Sequence, residues 1–249
     1  FDVLTSAAFR FSLKQSGCAG GVYISEEGDE ISVSFFAADS FDIRKKDFKR
    51  LKEMYPEGKF VRAEREAILP PENKVNAGKV YYNKMCAEFT GEKKGKYAFF
   101  SYDQTYGEYV EMLSRASGIK LVKNRRHGCV SGELSKGRLK MYDEKGRLLS
   151  EEELIKLFMM IVSEGDKRFV VREPLSDNIN KLSEEFKIRI IVSSGEDYLK
   201  EIKEAGALKQ YLLYSDNVYA FFAVTEKLLC LSDECDIINK KGERDYDRK

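Results

Sequence analysis

The segment GGVYISEEGDE, residues 20–30, sets one hydroxyl, Ser25, beside two carboxylates, Glu26 and Glu27, in a polar, glycine-punctuated stretch behind an apolar run. A short buried strand opening into such a loop is where an α/β protein often presents its chemistry, so the stretch holds either a nucleophile or two glutamates in its place. The carboxylates oppose an anionic substrate: like charges about 4 Å apart repel by about 1 kcal/mol in water and by several times that in a dry cleft. A second concentration of reactive types is KNRRHGCVSGELSKGRLK, where Lys123, Arg125, Arg126, Lys136, Arg138 and Lys140 surround the only histidine, His127. It reads either as an anion-binding edge, with Arg125, Arg126 and His127 on a phosphate, or as a solvated basic loop. Asp143 and Glu144, in DEKG, read as a solvated turn.

Several chemistries are excluded by the same inventory. GCAGG (17–21) precedes a strand instead of opening a helix, so it is no dinucleotide fingerprint. Ser131 in GCVSGE has no G-x-S-x-G elbow and no second histidine to draw on, which argues against a hydrolase triad. The five cysteines, Cys18, Cys86, Cys129, Cys230 and Cys235, are scattered without a C-x-x-C pair, so neither a disulfide framework nor a zinc site is expected. Forty-three Lys and Arg against 42 Asp and Glu leave a formal charge of +1, too little to steer nucleic acid or an anionic membrane. No apolar run approaches the roughly 20 residues that span a bilayer, and FDVLTSAAFRF lacks a secretory leader's charged start, so a cytoplasmic location is expected. Because the chain opens on Phe1, an upstream region is expected to be missing.

The elements that must position these residues recur in three passes. VLTSAAFRFSLKQSG shows apolar residues at helical spacing and stops at Gly17; GGVYIS and EISVSFFAADSFDI read as strands, and RKKDFKRLKEMYP as a charged helix closed by Pro56. After Pro70 and Pro71 a connecting helix runs through Val75, Val80, Tyr81, Met85 and Phe89 to a boundary at Gly91–Gly95. The second pass is strand YAFFSYD, helix TYGEYVEMLSRASG, strand IKLVKN, a loop, the hairpin-like GRLKMYDEKGRLL, and helix SEEELIKLFMMIVSEG with Ser150 and Glu153 at capping-box spacing. The third is strand KRFVVRE, helix LSDNINKLSEEFK, strand IRIIVSS and helix GEDYLKEIKEAG, followed by QYLLYSDNVYAFFAVTEKLLCL and a frayed tail, NKKGERDYDRK. The expected domains are 1–93, 94–165 and 166–249, with β-α-β crossovers and sheets covered on both faces.

The string TSAAFRFSLKQSGCAGGVYIS…EISVSFFAADSFDI resembles the first domain of the α-D-phosphohexomutases, the phosphoglucomutase and phosphomannomutase superfamily, especially versions fused behind a sugar-1-phosphate nucleotidyltransferase. GRLKMYDEKGRLLSEEELIKLF is similar to the stretch after that family's metal loop, and FVVREPLSDNINKLSEEFKIRIIVSSGEDYLKEI to the opening of its third domain. The resemblance implies three consecutive α/β/α domains with mixed sheets, the first incomplete at its N-terminus, and leaves no room after Cys235 for the family's fourth domain. It puts Ser25 at the threonine and Glu27 at the serine of a T-A-S-H-N-P-like loop whose serine carries the phosphate. A glutamate there makes at best a labile acyl phosphate. At the metal loop's three aspartates stand Glu133, Ser135 and Gly137, with Arg138 retained, and one carboxylate is not a Mg²⁺ site. Ser215, Asp216 and Asn217 fall at the sugar loop, where Ser-Asp-Asn also reads as a helix N-terminus.

The expectation is therefore a catalytically degenerate phosphohexomutase-like module, regulatory or assembly-related. It would meet a sugar phosphate or nucleotide sugar through Arg125, Arg126, His127, Arg138, Ser215, Asp216 and Asn217, and a fused or associated nucleotidyltransferase is a possible partner. No cofactor, nucleic acid or membrane is expected. The alternatives are an active hexose phosphate mutase with Ser25 as phosphate carrier and Mg²⁺ as cofactor, and a protein-interaction scaffold that binds no sugar.

Overall fold

The structure is a computed structural model, and it describes residues 4–27, 30–58, 76–90, 96–135, 137–172, 177–193 and 197–246; for residues 27 and 233–246 it describes the backbone alone. The chain divides into two compact units, 1–81 and 82–249. The boundary expected at Gly91–Gly95, Pro70 and Pro71 lie outside the described residues.

In the first unit α1 (Ser6–Gln15) starts at Thr5, whose Oγ1 accepts the Ala8 N–H at 3.2 Å, and it buries Ala7, Ala8, Phe9 and Leu13. That apolar stripe lies on an antiparallel pair, β1 (Gly20–Glu27) and β2 (Glu30–Ala37), with the Phe9 ring 5.4 Å from Tyr23 and 5.5 Å from Phe36. The approach is close enough that a Cβ on Gly21 would sit 2.8 Å from the Phe9 ring, so only glycine fits beneath the helix. The register runs from Gly20 opposite Ala37 to Glu27 opposite Glu30. Ser25 ends the GGVYIS strand as expected, but β1 runs on through Glu26 and Glu27, which corrects the loop expected there, because EEGDE serves as the polar end of a hairpin as readily as a loop. Helix α2 (Lys45–Glu57) contains Pro56 in its last turn, one residue short of its end, and buries none of its residues. Among the described residues the sheet is covered on one face, against the expectation of two: Val22 is 50% exposed, Ile24 66%, Ile31 71% and Val33 48%.

Helix α3 (Ala77–Cys86) leads into the second unit, whose described residues form two sheets. The first has the order β4-β3-β5-β6, with β3 (Tyr97–Ser101) parallel to β4 (Lys120–Leu121) and to β5 (Val130–Ser135), and β6 (Arg138–Tyr142) antiparallel to β5. A short 3-10 turn, Gln104–Tyr106, precedes α4 (Gly107–Ser117). Strand β5 stands where the sequence suggests a loop; its Gly132 lets the Phe221 ring stack on Phe100 at 4.1 Å, and a Cβ there would meet Phe221 at 2.5 Å. Beyond β6 the chain reverses at DEKG as expected, with the Gly146 N–H on the Asp143 carbonyl and Tyr142 bridging Leu148.

Helix α5 (Glu151–Ser163) opens with the full capping box: Ser150 Oγ accepts the Glu153 N–H at 3.2 Å and Glu153 Oε2 accepts the Ser150 N–H at 2.8 Å. The second sheet pairs β7 (Arg168–Arg172) with β8 (Arg189–Ser193) in parallel, with α6 (Asp177–Glu185) between them. Helices α7 (Tyr198–Glu204) and α8 (Leu208–Ser215) follow. From α8 the Gln210 amide stands in for a neighbouring strand: Oε1 accepts the Val170 N–H and Nε2 donates to the Val170 carbonyl, both at 2.7 Å. The last helix, α9 (Asn217–Tyr246), takes in most of the segment read as a frayed tail.

Candidate functional site

Ser25 lies in mid-strand opposite Ser32, on the same side of β1 as Gly21 and Tyr23, which face α1. A phosphate-carrying serine needs its Oγ on an open turn with spare backbone N–H groups around it; Ser25 is half-buried within a paired strand. Glu26 is exposed on the opposite side, opposite Ile31, and Glu27 is opposite Glu30.

The stretch expected as a metal loop forms the β5–β6 hairpin. Glu133 is opposite Lys140 on one side and Ser101 on the other, and Ser135 is opposite Arg138 where the hairpin turns. Among the described residues no three His, Cys, Asp or Glu side chains gather as a metal ion would need. Arg138 is exposed, and the adjacent Gly137 carbonyl accepts the Asn217 Nδ2–H at 2.9 Å, which brings the start of α9 to this turn.

Asp216 is buried, 3% exposed, and fully engaged. Its Oδ1 accepts the Val218 and Tyr219 N–H groups at 3.0 Å, capping α9, while Oδ2 accepts the Tyr109 hydroxyl at 2.6 Å. That carboxylate holds α9 to α4 and is not presented to a ligand. Ser215, half-buried, ends α8. The Tyr109 contact has no sequence signal beyond the need of a buried tyrosine hydroxyl for some partner.

Arg125, Arg126 and His127 are exposed in the segment between β4 and β5. The Arg125 guanidinium lies 4.1 Å over the Tyr142 ring and donates to the Gly146 carbonyl at 3.0 Å; the Gly128 N–H donates to the Glu144 carbonyl. Tyr142 ends β6 and Arg138 begins it, so the two groups of basic residues stand about 14 Å apart along the strand, at about 3.4 Å per residue. The basic segment that looks continuous in sequence is divided between the two ends of a strand.

A cavity of 360 Å³ in the second unit was not visible in the sequence; Glu88, Phe89, Ile161, Glu164, Lys209, Tyr219 and Lys227 are among its walls. Lys209 Nζ is 2.5 Å from Glu88 Oε2 and Lys227 Nζ 2.5 Å from Glu164 Oε1, so both ammonium groups are paired. Burial alone would lower the Lys209 pKa, but the bond and charge of Glu88 and the Tyr219 hydroxyl together outweigh it and raise it; burial also raises the Tyr219 phenol. Its residues come from four distant segments, each ordinary by itself.

No known family's pattern and no curated protein matches the sequence. Solved structures do match in fold. A phosphoglucomutase/phosphomannomutase family protein from Burkholderia thailandensis aligns with a TM-score of 0.68 at 10% identity, over 91% of this chain and 60% of that one. A Thermus thermophilus protein assigned as a phosphomannomutase aligns with a TM-score of 0.61 at 12% identity, over 90% of this chain and 65% of that one. The chain thus spans about three fifths to two thirds of the length of the solved proteins it resembles. Likeness at such identity shows the fold, and that fold is the mixed α/β architecture of phosphomannomutase and phosphoglucomutase family proteins. Among the described residues no helix is long and apolar enough to cross a membrane.

Proposed function

We propose that the chain is a catalytically degenerate phosphohexomutase-like module that binds a sugar phosphate weakly, without turnover, in a regulatory or assembly role. The observation that carries this reading is the placement of Ser25 inside a paired strand, opposite Ser32, with Glu26 next to it. Support comes from the β5–β6 hairpin, where Glu133 faces Lys140 and not a second carboxylate. The groups best placed to meet a phosphate are Arg138, beside the start of α9, and the exposed Arg126 and His127. Arginine suits the task because its planar fork holds a phosphate through two hydrogen bonds.

The test is incubation of the purified chain with glucose 1,6-bisphosphate and Mg²⁺, read by intact-mass spectrometry, with a Ser25→Ala control and calorimetric titration of glucose 1-phosphate. The expected result is no phosphate adduct, together with weak binding that Arg138→Ala reduces. An adduct abolished by Ser25→Ala would establish the enzyme reading instead. Absence of both adduct and binding heat would leave the scaffold reading.

A further inference from the structure

The cavity beside α9 lies wholly within the second unit and carries charge at both ends. Tyr219, Ala223 and Lys227 recur at i, i+4 and i+8, so one row of α9 makes a wall about 12 Å long at about 1.5 Å per residue. At the Tyr219 end the Lys209 ammonium pairs with Glu88 at 2.5 Å and lies 3.4 Å from the Tyr219 hydroxyl. The Lys209 N–H donates to Asp166 at 2.8 Å, which fixes the start of α8 that carries this side chain. At the other end Lys227 pairs at 2.5 Å with Glu164, at the close of α5. Apolar wall comes from Ala223 between these ends, from Phe89, whose ring lies 5.6 Å from Tyr219, and from Ile161, one turn before Glu164.

Charge and hydrogen-bonding capacity select the class of ligand. An ammonium group has three donors and a carboxylate about four acceptor positions. Among the described residues Lys209 uses two of its donors, on Glu88 and Tyr219, and Lys227 one, on Glu164, so each pair keeps donors and acceptors to offer. Both lysines share the walls with Glu88, Glu164 and a further carboxylate, Glu226. An anion would therefore face three carboxylates, and a simple cation two ammonium groups. A zwitterion avoids both conflicts, because its carboxylate meets a lysine while its ammonium meets the paired glutamate. An α-amino acid carries the two groups on one carbon and so matches a single Lys–Glu pair. Lys209–Glu88 is the better match: its side chains are 28% and 33% exposed, against 64% for Glu164, so water screens the attraction less. A side chain on that carbon would lie along Phe89 and Ala223. The 360 Å³ of the cavity falls at the small end of ligand pockets, about 300–1,000 Å³.

We propose that this cavity binds a free α-amino acid with an apolar side chain, its carboxylate on Lys209 and its ammonium on Glu88. The site goes beyond the sugar-phosphate reading and shares no residue with it. Calorimetric titration of the full chain with L-leucine and with L-phenylalanine is expected to show saturable binding with a Kd below about 1 mM. N-acetyl-L-leucine keeps only the carboxylate and L-leucinamide only the ammonium, and each should bind at least about tenfold more weakly than L-leucine. Glu88→Gln still accepts a bond from Lys209 but lacks the charge that meets the ligand's ammonium, and it weakens L-leucine by a similar factor. Ala223→Leu, which fills the middle of the α9 wall, weakens both amino acids, and a thermal melt shows that each variant is folded. Arg138→Ala leaves L-leucine binding unchanged, which separates this site from the sugar-phosphate reading. No binding of either amino acid up to about 10 mM would overturn the proposal. So would blocked derivatives that bind as well as L-leucine, or an affinity indifferent to Glu88→Gln.

Discussion

Two of the sheets among the described residues are two-stranded, and they are finished differently. In β7–β8 the central residues of β7, Phe169, Val170 and Val171, are all buried, while Val192 of β8 stays 42% exposed; α5 and α7 pack on β7, α6 packs on β8, and the Gln210 amide closes the β7 edge. In β1–β2 only the α1 side is closed among the described residues, and the other side keeps Val22, Ile24, Ile31 and Val33 about half exposed or more. A two-stranded ladder is at best marginal in water by itself. The helices of the second unit supply β7–β8 with cover, whereas among the described residues β1–β2 obtains it on one side, from α1. Side chains of equal hydrophobicity should therefore matter unequally in the two sheets.

The largest effect is expected at Phe169, 1% exposed in β7. Phe169→Ala removes a buried ring and leaves a cavity, a loss of about 3–5 kcal/mol. Ile24→Thr, on the open face, should stay within about 0.5 kcal/mol. Urea denaturation of each variant at low concentration checks the pair, following the transition of the second unit for Phe169 and of the first for Ile24. Equal losses at the two sites would mean that the outer face of β1–β2 is covered within the monomer, and the contrast would fail.

A smaller loss is expected from reopening the sealed edge. Gln210 is 0% exposed, and its amide satisfies both the N–H and the carbonyl of Val170, with the Tyr198 hydroxyl donating to the same carbonyl at 2.6 Å. Gln210→Leu keeps the bulk but leaves the Val170 N–H buried without a partner, at a cost of about 1–3 kcal/mol. Hydrogen exchange at the Val170 amide gives the specific readout. Faster exchange there, with β8 amides little changed, would show that the side chain acts as a strand edge and not as filler.

These sheets also show which parts of the molecule were legible in the sequence. The Ser150–Glu153 capping box and the DEKG turn depend on residues within one turn of each other, and the structure has both as read. Strands β7 and β8 were legible because continuous apolar runs bounded by turns leave little alternative. Strand β5 was not, since VSGELS lacks an apolar pattern and its Gly132 is explained only by Phe221, far along the chain. The segment after Ser25 misled for a related reason: a run of Glu, Gly and Asp is equally at home in a loop and at the end of a hairpin. For the candidate site, the Ser-Asp-Asn helix start was visible, but the Tyr109 bond to Asp216 and the division of the basic residues along β6 depend on pairing that no local pattern encodes.

The smallest effect concerns the start of α5, the helix that packs on β7, and it depends on pH. Glu153 accepts hydrogen bonds from the Arg147 guanidinium at 2.8 and 3.0 Å and from the Ser150 N–H at 2.8 Å, and these bonds lower its pKa from 4.5 to about 2. A carboxyl whose folded pKa is depressed binds protons more readily when unfolded, so its stabilisation is present above 4.5 and is lost as pH falls toward 2. Because Glu153 and Arg147 are solvated, the contribution is modest and salt-sensitive. Glu153→Gln can still accept the Ser150 N–H but cannot hold the ion pair, so its melting temperature should fall less than that of the original chain across this acid window. Melting curves between pH 5 and pH 2 at low and high salt measure the difference. A variant with the same acid slope as the original would show that α5 stays on β7 without help from the charge, and that its apolar face alone closes the second unit.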